Sequence, residues 1–326
     1  MNPRRRRFLH LLAGATALSA APNGAGAQAW PTRPVRIIVP FQPGGSTDIF
    51  ARLAAQKLTE HFGKQFYIEN VAGATGNVGT AQAARAAPDG HTLLIAFSSY
   101  VVNPTLFAKL PFDPDKDFAP VTLAVAAPNL VTVNPSLPAR DLKELVALIK
   151  ANPGKYTYTS GGVGTQAHLL AEMLRLSQAL DIVHVPFNGA APAIASAMAG
   201  HTPIAWATIA SAKQALEAGQ LRALAVASKT RSQLLADVPT TAEAGYPDIQ
   251  GDSWVGLLAP AGTPTEIIGA VQREIAAIIA LPDVKERLPT LGFEAVASAP
   301  EEFAIRIKVE TKMWGKVIRA ANIKPE

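Results

Sequence analysis

The stretch Val35-Arg36-Ile37-Ile38-Val39-Pro40-Phe41-Gln42-Pro43-Gly44-Gly45-Ser46-Thr47-Asp48 passes from a short β-branched apolar run into a turn dense in proline and glycine. Residues 47–61 follow with Ile49, Leu53 and Leu58 at helical spacing, so the segment reads as strand, loop and helix. Glycines let the backbone turn and its amides approach a bound group, and a helix start carries unpaired N–H groups with about half a positive charge. That combination suits an anion. The same residues also read as a tight turn in which Ser46 or Thr47 caps the helix and Asp48 sits in its first turn.

Working outward, the unit recurs. Residues 66–68 read as a strand, 73–79 as a glycine loop opening a helix at 80–87, and 92–97 as a strand followed by a loop at Ser98 and Ser99. Residues 121–125 and 130–133 read as two strands on either side of Pro128, and 142–150 as a helix stopped by Asn152-Pro153-Gly154. A second strand, glycine loop and helix occupy 156–159, 161–165 and 166–176, with another strand at 182–185. Shorter helix and strand segments continue to 227, and a strand at 254–259 precedes helices at 265–280, 283–291 and 300–321. Short strands alternating with alanine-rich helices define an α/β chain with parallel strands. Crossings near 125 and 229 divide it into a first lobe, residues 28–125 and 230–326, and a second, 126–229. Two strand crossings make a hinge, and clefts between such lobes take small molecules.

At 326 residues, 48% hydrophobic and 17% charged, the chain can bury cores and is long enough for two domains. Its net charge of +5 includes Arg4 to Arg7, within an acid-free stretch 1–27; without them 26 cations face 25 acids, and no case for a nucleic-acid partner remains. Arg4 to Arg7, an apolar run over 11–21 and Ala25-Gly26-Ala27 form a three-part export signal cleaved near Ala27. Taking Arg5-Arg6 as the pair before Arg7-Phe8-Leu9 gives the twin-arginine form; a general-secretory signal with an arginine-rich start fits the same residues. The apolar run is too short to span a membrane. A chain without cysteine cannot mispair in an oxidising compartment, and it excludes a disulfide, a thiolate metal site and a cysteine nucleophile.

Enzyme signals are missing. Glycines 73, 76 and 79 are spaced three and three, unlike a dinucleotide fingerprint, and there is neither a phosphate loop ending in Gly-Lys-Ser/Thr nor a Gly-x-Ser-x-Gly elbow. The histidines show no metal-ligand spacing, so neither metal nor cofactor is expected. His168, four residues after Gly164, reads as a neighbour of the site rather than a base, and Phe41, Phe187 and Trp206 are candidates for an apolar wall.

With Pro43-Gly44-Gly45-Ser46-Thr47-Asp48, Ala72-Gly73-Ala74-Thr75-Gly76, Asn152-Pro153-Gly154-Lys155, Ser160-Gly161-Gly162-Val163-Gly164, His184-Val185-Pro186-Phe187 and Ala259-Pro260-Ala261-Gly262-Thr263-Pro264 in order, the chain resembles the Bug family. These are substrate-binding proteins of tripartite tricarboxylate transporters. The resemblance implies the type II periplasmic binding-protein fold, two α/β lobes closing on a small carboxylate, a membrane permease as partner, a periplasmic location and a monomer. It implies first-lobe contacts from Phe41, Gly44, Gly45, Asp48, Ser98 and Ser99, with Gly73 and Asn77 shaping the wall. Second-lobe contacts would come from Ser160, Gly161, Gly162, Thr165 and His168. Two positions depart from the family pattern: Phe187-Asn188-Gly189 stands where Tyr-Lys-Gly is frequent, and Ala207 where many relatives carry an acid. Loss of that acid favours a mono- or dicarboxylate, aromatic ones included, over an amino acid.

Overall fold

A computed structural model describes residues 30–44, 46–187 and 189–325. The export segment, Gly45 and Asn188 lie outside the described residues. From Arg33 onward the chain forms one compact unit. Its strands are β1 (Val35–Val39), β2 (Phe66–Asn70), β3 (Thr92–Phe97), β4 (Phe118–Val133), β5 (Thr157–Ser160), β6 (Val183–Pro186), β7 (Ile204–Thr208), β8 (Arg222–Val226), β9 (Asp252–Pro260) and β10 (Glu294–Ala295). The helices are α1 (Ser46–Phe62), α2 (Asn77–Ala84), α3 (Ser99–Leu106), α4 (Leu142–Lys150), α5 (Gln166–Gln178), α6 (Ala190–Met198), α7 (Ile209–Glu217), α8 (Thr265–Ala280), α9 (Pro282–Thr290) and α10 (Pro300–Ala320).

The strands join in the order β2-β1-β3-β9-β4-β7-β5-β6, with β10 and β8 also paired to β4. Strand β4 organises the whole: its first part pairs with β9 from Phe118↔Pro260 to Pro128↔Asp252, and its last residues pair with β7 from Asn129↔Thr208 to Val133↔Ile204. Two strands separated at Pro128 are expected from the sequence; the structure has one. Pro128 is accommodated because it sits where β10, paired at Val125 and Ala126, has ended and β7 has not begun, so one flank of β4 has no partner strand there.

Local sequence explains the helices. In α4 the apolar residues Leu142, Leu145, Val146 and Ile149 fall on one buried face, and the Asp141 side chain caps the start by accepting the Glu144 N–H at 2.8 Å. Full burial of each such side chain stabilises by about 1.5–3 kcal/mol. Helix α10 buries Phe303, Ile307, Trp314 and Ile318, and its one buried acid, Glu310, accepts from Trp254 Nε1 at 2.8 Å and Arg306 Nε at 2.7 Å. This helix packs on α3, β4 and α5, so it touches elements from both ends of the β4 ladder. Residues 233–238 and 240–246 stay with the far end of β4: Thr240 bridges Val226, and Leu234, Leu235 and Val238 pack on the cluster around Leu130 and Ile194.

Candidate functional site

Strands β1, β2 and β3 are parallel, so their carboxyl ends share one edge; the same holds for β5, β6 and β7. Because β3 and β4 both run antiparallel to β9 while β7 runs antiparallel to β4, the two carboxyl edges point toward each other. Phe97 is level with Val125 through their shared partner Val255, and Thr208 is level with Asn129. Three residues of β4 lie between these levels, a rise of four steps or about 13 Å along the strand. A crevice at the carboxyl ends of α/β strands is the usual place for a ligand.

Six helices begin at these edges. Side chains cap α5, where Thr165 Oγ1 accepts the His168 N–H at 3.3 Å, and α7, where Thr208 Oγ1 accepts that of Ser211 at 3.4 Å. The starts of α2, α3 and α6, after Gly76, Ser98 and Gly189, have no side-chain cap. At α2 the first two N–H groups are already taken, Asn77 by Ala74 O and Val78 by Gly73 O, so the N–H groups that an anion or water can meet are those opening α3 and α6. None of the described residues between these strands and their helices (40–44, 71–76, 98, 161–165, 187 and 189) carries a charge.

The first loop is held from below by Asp48, whose side chain is buried. Its carboxylate accepts from Gly44 N at 3.0 Å, Arg52 Nε at 2.9 Å and Asn70 Nδ2 at 2.8 Å, while the same Asn70 amide reaches Phe41 O at 3.1 Å. Burial alone would raise its pKa; the hydrogen bonds from Arg52, Gly44 and Asn70 hold it below the ordinary carboxylate value. Asp48 therefore orients the loop, leaving Phe41 and Gly44 at the surface. The Phe41 ring meets Phe97 edge-on at 5.7 Å.

Beside it, Gly73, Thr75 and Gly76 turn the chain with positive φ. Asn77 is buried, and its Oδ1 accepts from Asn103 Nδ2 at 2.8 Å; the same amide donates to Thr75 O at 3.1 Å. Asn103 comes from α3, which begins at Ser99 where a loop is expected from the sequence. Ser98 is the buried residue preceding that helix, and its Oγ has no protein partner. Ser99 is partly exposed.

The second glycine loop rests on an aromatic stack. Ser160 Oγ lies 2.8 Å from His184 Nε2 and 3.3 Å from Gly162 N, and His168 Nδ1 accepts the Gly164 N–H at 3.1 Å. The two imidazoles stack on each other, and Tyr158 stacks on His184 at 4.8 Å. Tyr158 donates its hydroxyl proton to Glu172, which Arg175 neutralises. Gly161, Gly162, Thr165 and Phe187 are partly exposed above this stack, whereas Ser160 and His168 lie within it.

Ala207 is 4% exposed and packs among Leu130, Ile194 and Ile209; Trp206 points into the other cluster with Val131 and Tyr158. Neither is brought to the loops. The residues that sequence reasoning passed over are Asn70 and Asn103, supports beneath the loops, and Thr208, which ends β7 at the facing edge; His184, noted in the sequence only within a family motif, is a further support.

Residues 50–323 match the family model of the tripartite tricarboxylate transporter family receptor (TctC). The chain is 37% identical over 315 residues to the UPF0065 protein in the tcbD-tcbE intergenic region of Pseudomonas sp. strain P51, covering 96% of this chain and 94% of that one. It is structurally similar to R. palustris Rpa4515 with adipate (34% identity, TM-score 0.79, 91% of this chain and 100% of that one). It is also similar to MatC (Rpa3494) from Rhodopseudomonas palustris with bound malate (33%, TM-score 0.74, 89% and 100%). With the mixed α/β architecture of these periplasmic binding proteins and a family match over most of its length, the chain belongs to the TctC/Bug family of periplasmic solute-binding proteins.

Proposed function

We propose that this chain is an exported periplasmic solute-binding protein, without catalytic activity, that closes two lobes on a small carboxylate and presents it to the membrane permease of a tripartite tricarboxylate-type transporter. The observation that carries this reading is the pair of facing edges whose described strand–helix loops bear no charged side chain yet present, at the starts of α3 and α6, N–H groups that no side chain caps. An anion held there is held by backbone amides, hydroxyls and water. The adipate and malate bound by the two structural neighbours are of that class.

The two lobes of this reading follow the division proposed from the sequence, with one change. We assign residues 230–251 to the second lobe, an assignment supported by the bridge of Thr240 to Val226 and by the hydrogen bond from Asn129 Nδ2 to Gly251 O, next to the proposed return crossing at Gly251–Asp252. The ligand would meet Phe41, Gly44, Gly73, Ser99, Gly161, Gly162, Thr165 and Phe187 directly, while Asp48, Asn77, Ser98, Ser160 and His168 hold those groups in place. Gly45 and Asn188, which the sequence also assigns to the site, are included as proposed contacts. The partly exposed Phe41 and Phe187, with no counter-charge for an ammonium, favour a mono- or dicarboxylate with an apolar body. Residues 1–27 direct export, with cleavage near Ala27, and the mature protein works as a monomer.

One contact favours a hydrolase: Ser160 Oγ and His184 Nε2 are at the 2.8 Å of a nucleophile–base pair. Ser160 is fully buried, however, and burial with the charge of nearby His168 pushes His184 down to about 3, far too weak a base at neutral pH.

Thermal melts of residues 28–326 against adipate, malate, citrate, benzoate and amino acids test the reading. A carboxylate at 100 times its dissociation constant stabilises by about 2.7 kcal/mol, and the acid should be recovered unchanged. A melt that no acid shifts, or an acid consumed by the protein, overturns it.

A further inference from the structure

The turn Gly292-Phe293-Glu294, which leads from α9 into β10, belongs to the first lobe and touches the second at two points. Gly292 lies so close to α7 that a β-carbon placed on it would overlap Ala210 Cβ and stand 2.9 Å from Ala210 Cα. Glu294 accepts a hydrogen bond from Ser232 Oγ, the cap of the short 3-10 turn Gln233–Leu235 that follows β8. Between them Phe293, almost fully buried, packs at 6.0 Å against Phe50 of α1, the helix that the first ligand loop opens. Ala210 is in the first turn of α7, next to Thr208, where β7 reaches the facing edge. One line of contacts thus runs from the start of α1 through Phe50, Phe293 and Gly292 to the start of α7.

We infer that Gly292 and Ala210 are positioning residues for capture: they touch no ligand, and their contact beside β4 sets the separation at which the two edges meet around it. The assignment rests on the two-lobe reading above. Gly292 has φ +74, a C-terminal turn after α9 that glycine adopts freely, so turn geometry alone accounts for a glycine. It does not account for the missing space. Asparagine tolerates that backbone region better than other side chains, which separates the two roles: Gly292→Asn keeps the turn and fills the gap. Ala210→Leu fills it from the helix side with no change of turn.

The absence of cysteine makes the test direct. Spin labels on Lys64→Cys in the first lobe and Gln214→Cys in the second report the interlobe distance without any ligand. Gly292→Asn and Ala210→Leu should each displace or broaden that distance relative to the parent. Adding Ala210→Gly to Gly292→Asn should restore it in part, since the overlapping methyl is gone while the 2.9 Å approach to the residue 210 Cα remains. Adipate and malate affinities should follow, falling at least about tenfold in the single variants and recovering part of that loss in the double. Unchanged distance distributions in Gly292→Asn and Ala210→Leu, or failure of Ala210→Gly to rescue, overturn the inference. If the distances respond but the parent binds neither acid, the carboxylate reading fails while the positioning role stands.

Discussion

The imidazoles of His168 and His184 lie stacked, with 3.9 Å between centroids and 12° between planes, directly beneath the second-lobe glycine loop. His168 Nδ1 accepts the Gly164 N–H, so that nitrogen carries no proton, and protonating it would set two donors against each other. Burial holds both rings well below the ordinary imidazole value. His168 is lowered to about 4, with help from Arg175, and His184 to about 3, with help from His168.

The stack gives an acid response of definite sign. Both folded values lie below the 6.5 of a free imidazole, so on acidification the unfolded chain binds protons that the native chain excludes. The pair's contribution to stability is complete above pH 6.5 and is lost as pH falls through about 4 and then about 3. Asp252, pushed up by burial to about 6, acts oppositely, gaining stability as pH falls through that value. Comparing urea titrations of wild type and His184→Gln removes such shared terms. Wild type should lose stability more steeply from pH 6.5 down to about 4, and parallel curves would refute the assignment.

Asp48 should behave as a loop anchor. In Asp48→Asn one carboxylate oxygen becomes an amide donor facing Gly44 N–H, Arg52 or Asn70, and a mismatched buried polar group costs about 1–3 kcal/mol. Arg52 has a half-exposed side chain, so Arg52→Ala should cost less. Denaturant midpoints rank the two. A smaller loss in Asp48→Asn than in Arg52→Ala would mean that the carboxylate is not what fixes the loop.

What the sequence made legible was local. Proline and glycine chemistry located the loops at 40–46 and 161–165 and the end of α4 at Asn152-Pro153-Gly154, and apolar periodicity located α1, because both depend on neighbours a few residues away. What it hid depends on register. Alternation sends Trp206 and Ala207 to opposite faces of β7, yet only pairing with Leu130 and Val131 decides that Ala207 enters an apolar cluster instead of the crevice. His184 reaches the site because Tyr158↔His184 are parallel partners and Gln166–Gln178 covers them, a juxtaposition spread over separate elements. Asn103 reaches Asn77 across similar distance in sequence.

Thr165 combines two duties in one hydroxyl, accepting the His168 N–H and donating to Gly162 O at 2.8 Å. Thr165→Ala should cost about 1 kcal/mol through the lost cap. It should also weaken carboxylate binding, because Gly162 loses its tether. Thr165→Ser, which keeps the oxygen, should restore both in parallel thermal and calorimetric measurements. Recovery of stability without affinity would show that the methyl group, not the hydroxyl, serves the ligand.

Phe41 tests the apolar body assigned to the ligand. Its ring is partly exposed at the carboxyl edge of β1 and braced edge-on by Phe97, whereas the polar support of its loop, from Asn70 and Asp48, reaches only backbone and carboxylate atoms. Phe41→Ala should therefore leave the loop in place and remove a hydrophobic wall. Each methylene that loses burial weakens binding by about 0.8 kcal/mol, so adipate, with a longer methylene body than malate, should suffer the larger loss of affinity. Calorimetric titration of both acids into wild type and Phe41→Ala reads that difference. Equal losses for the two acids would indicate that the ring supports the loop, and would remove the argument for an apolar ligand body.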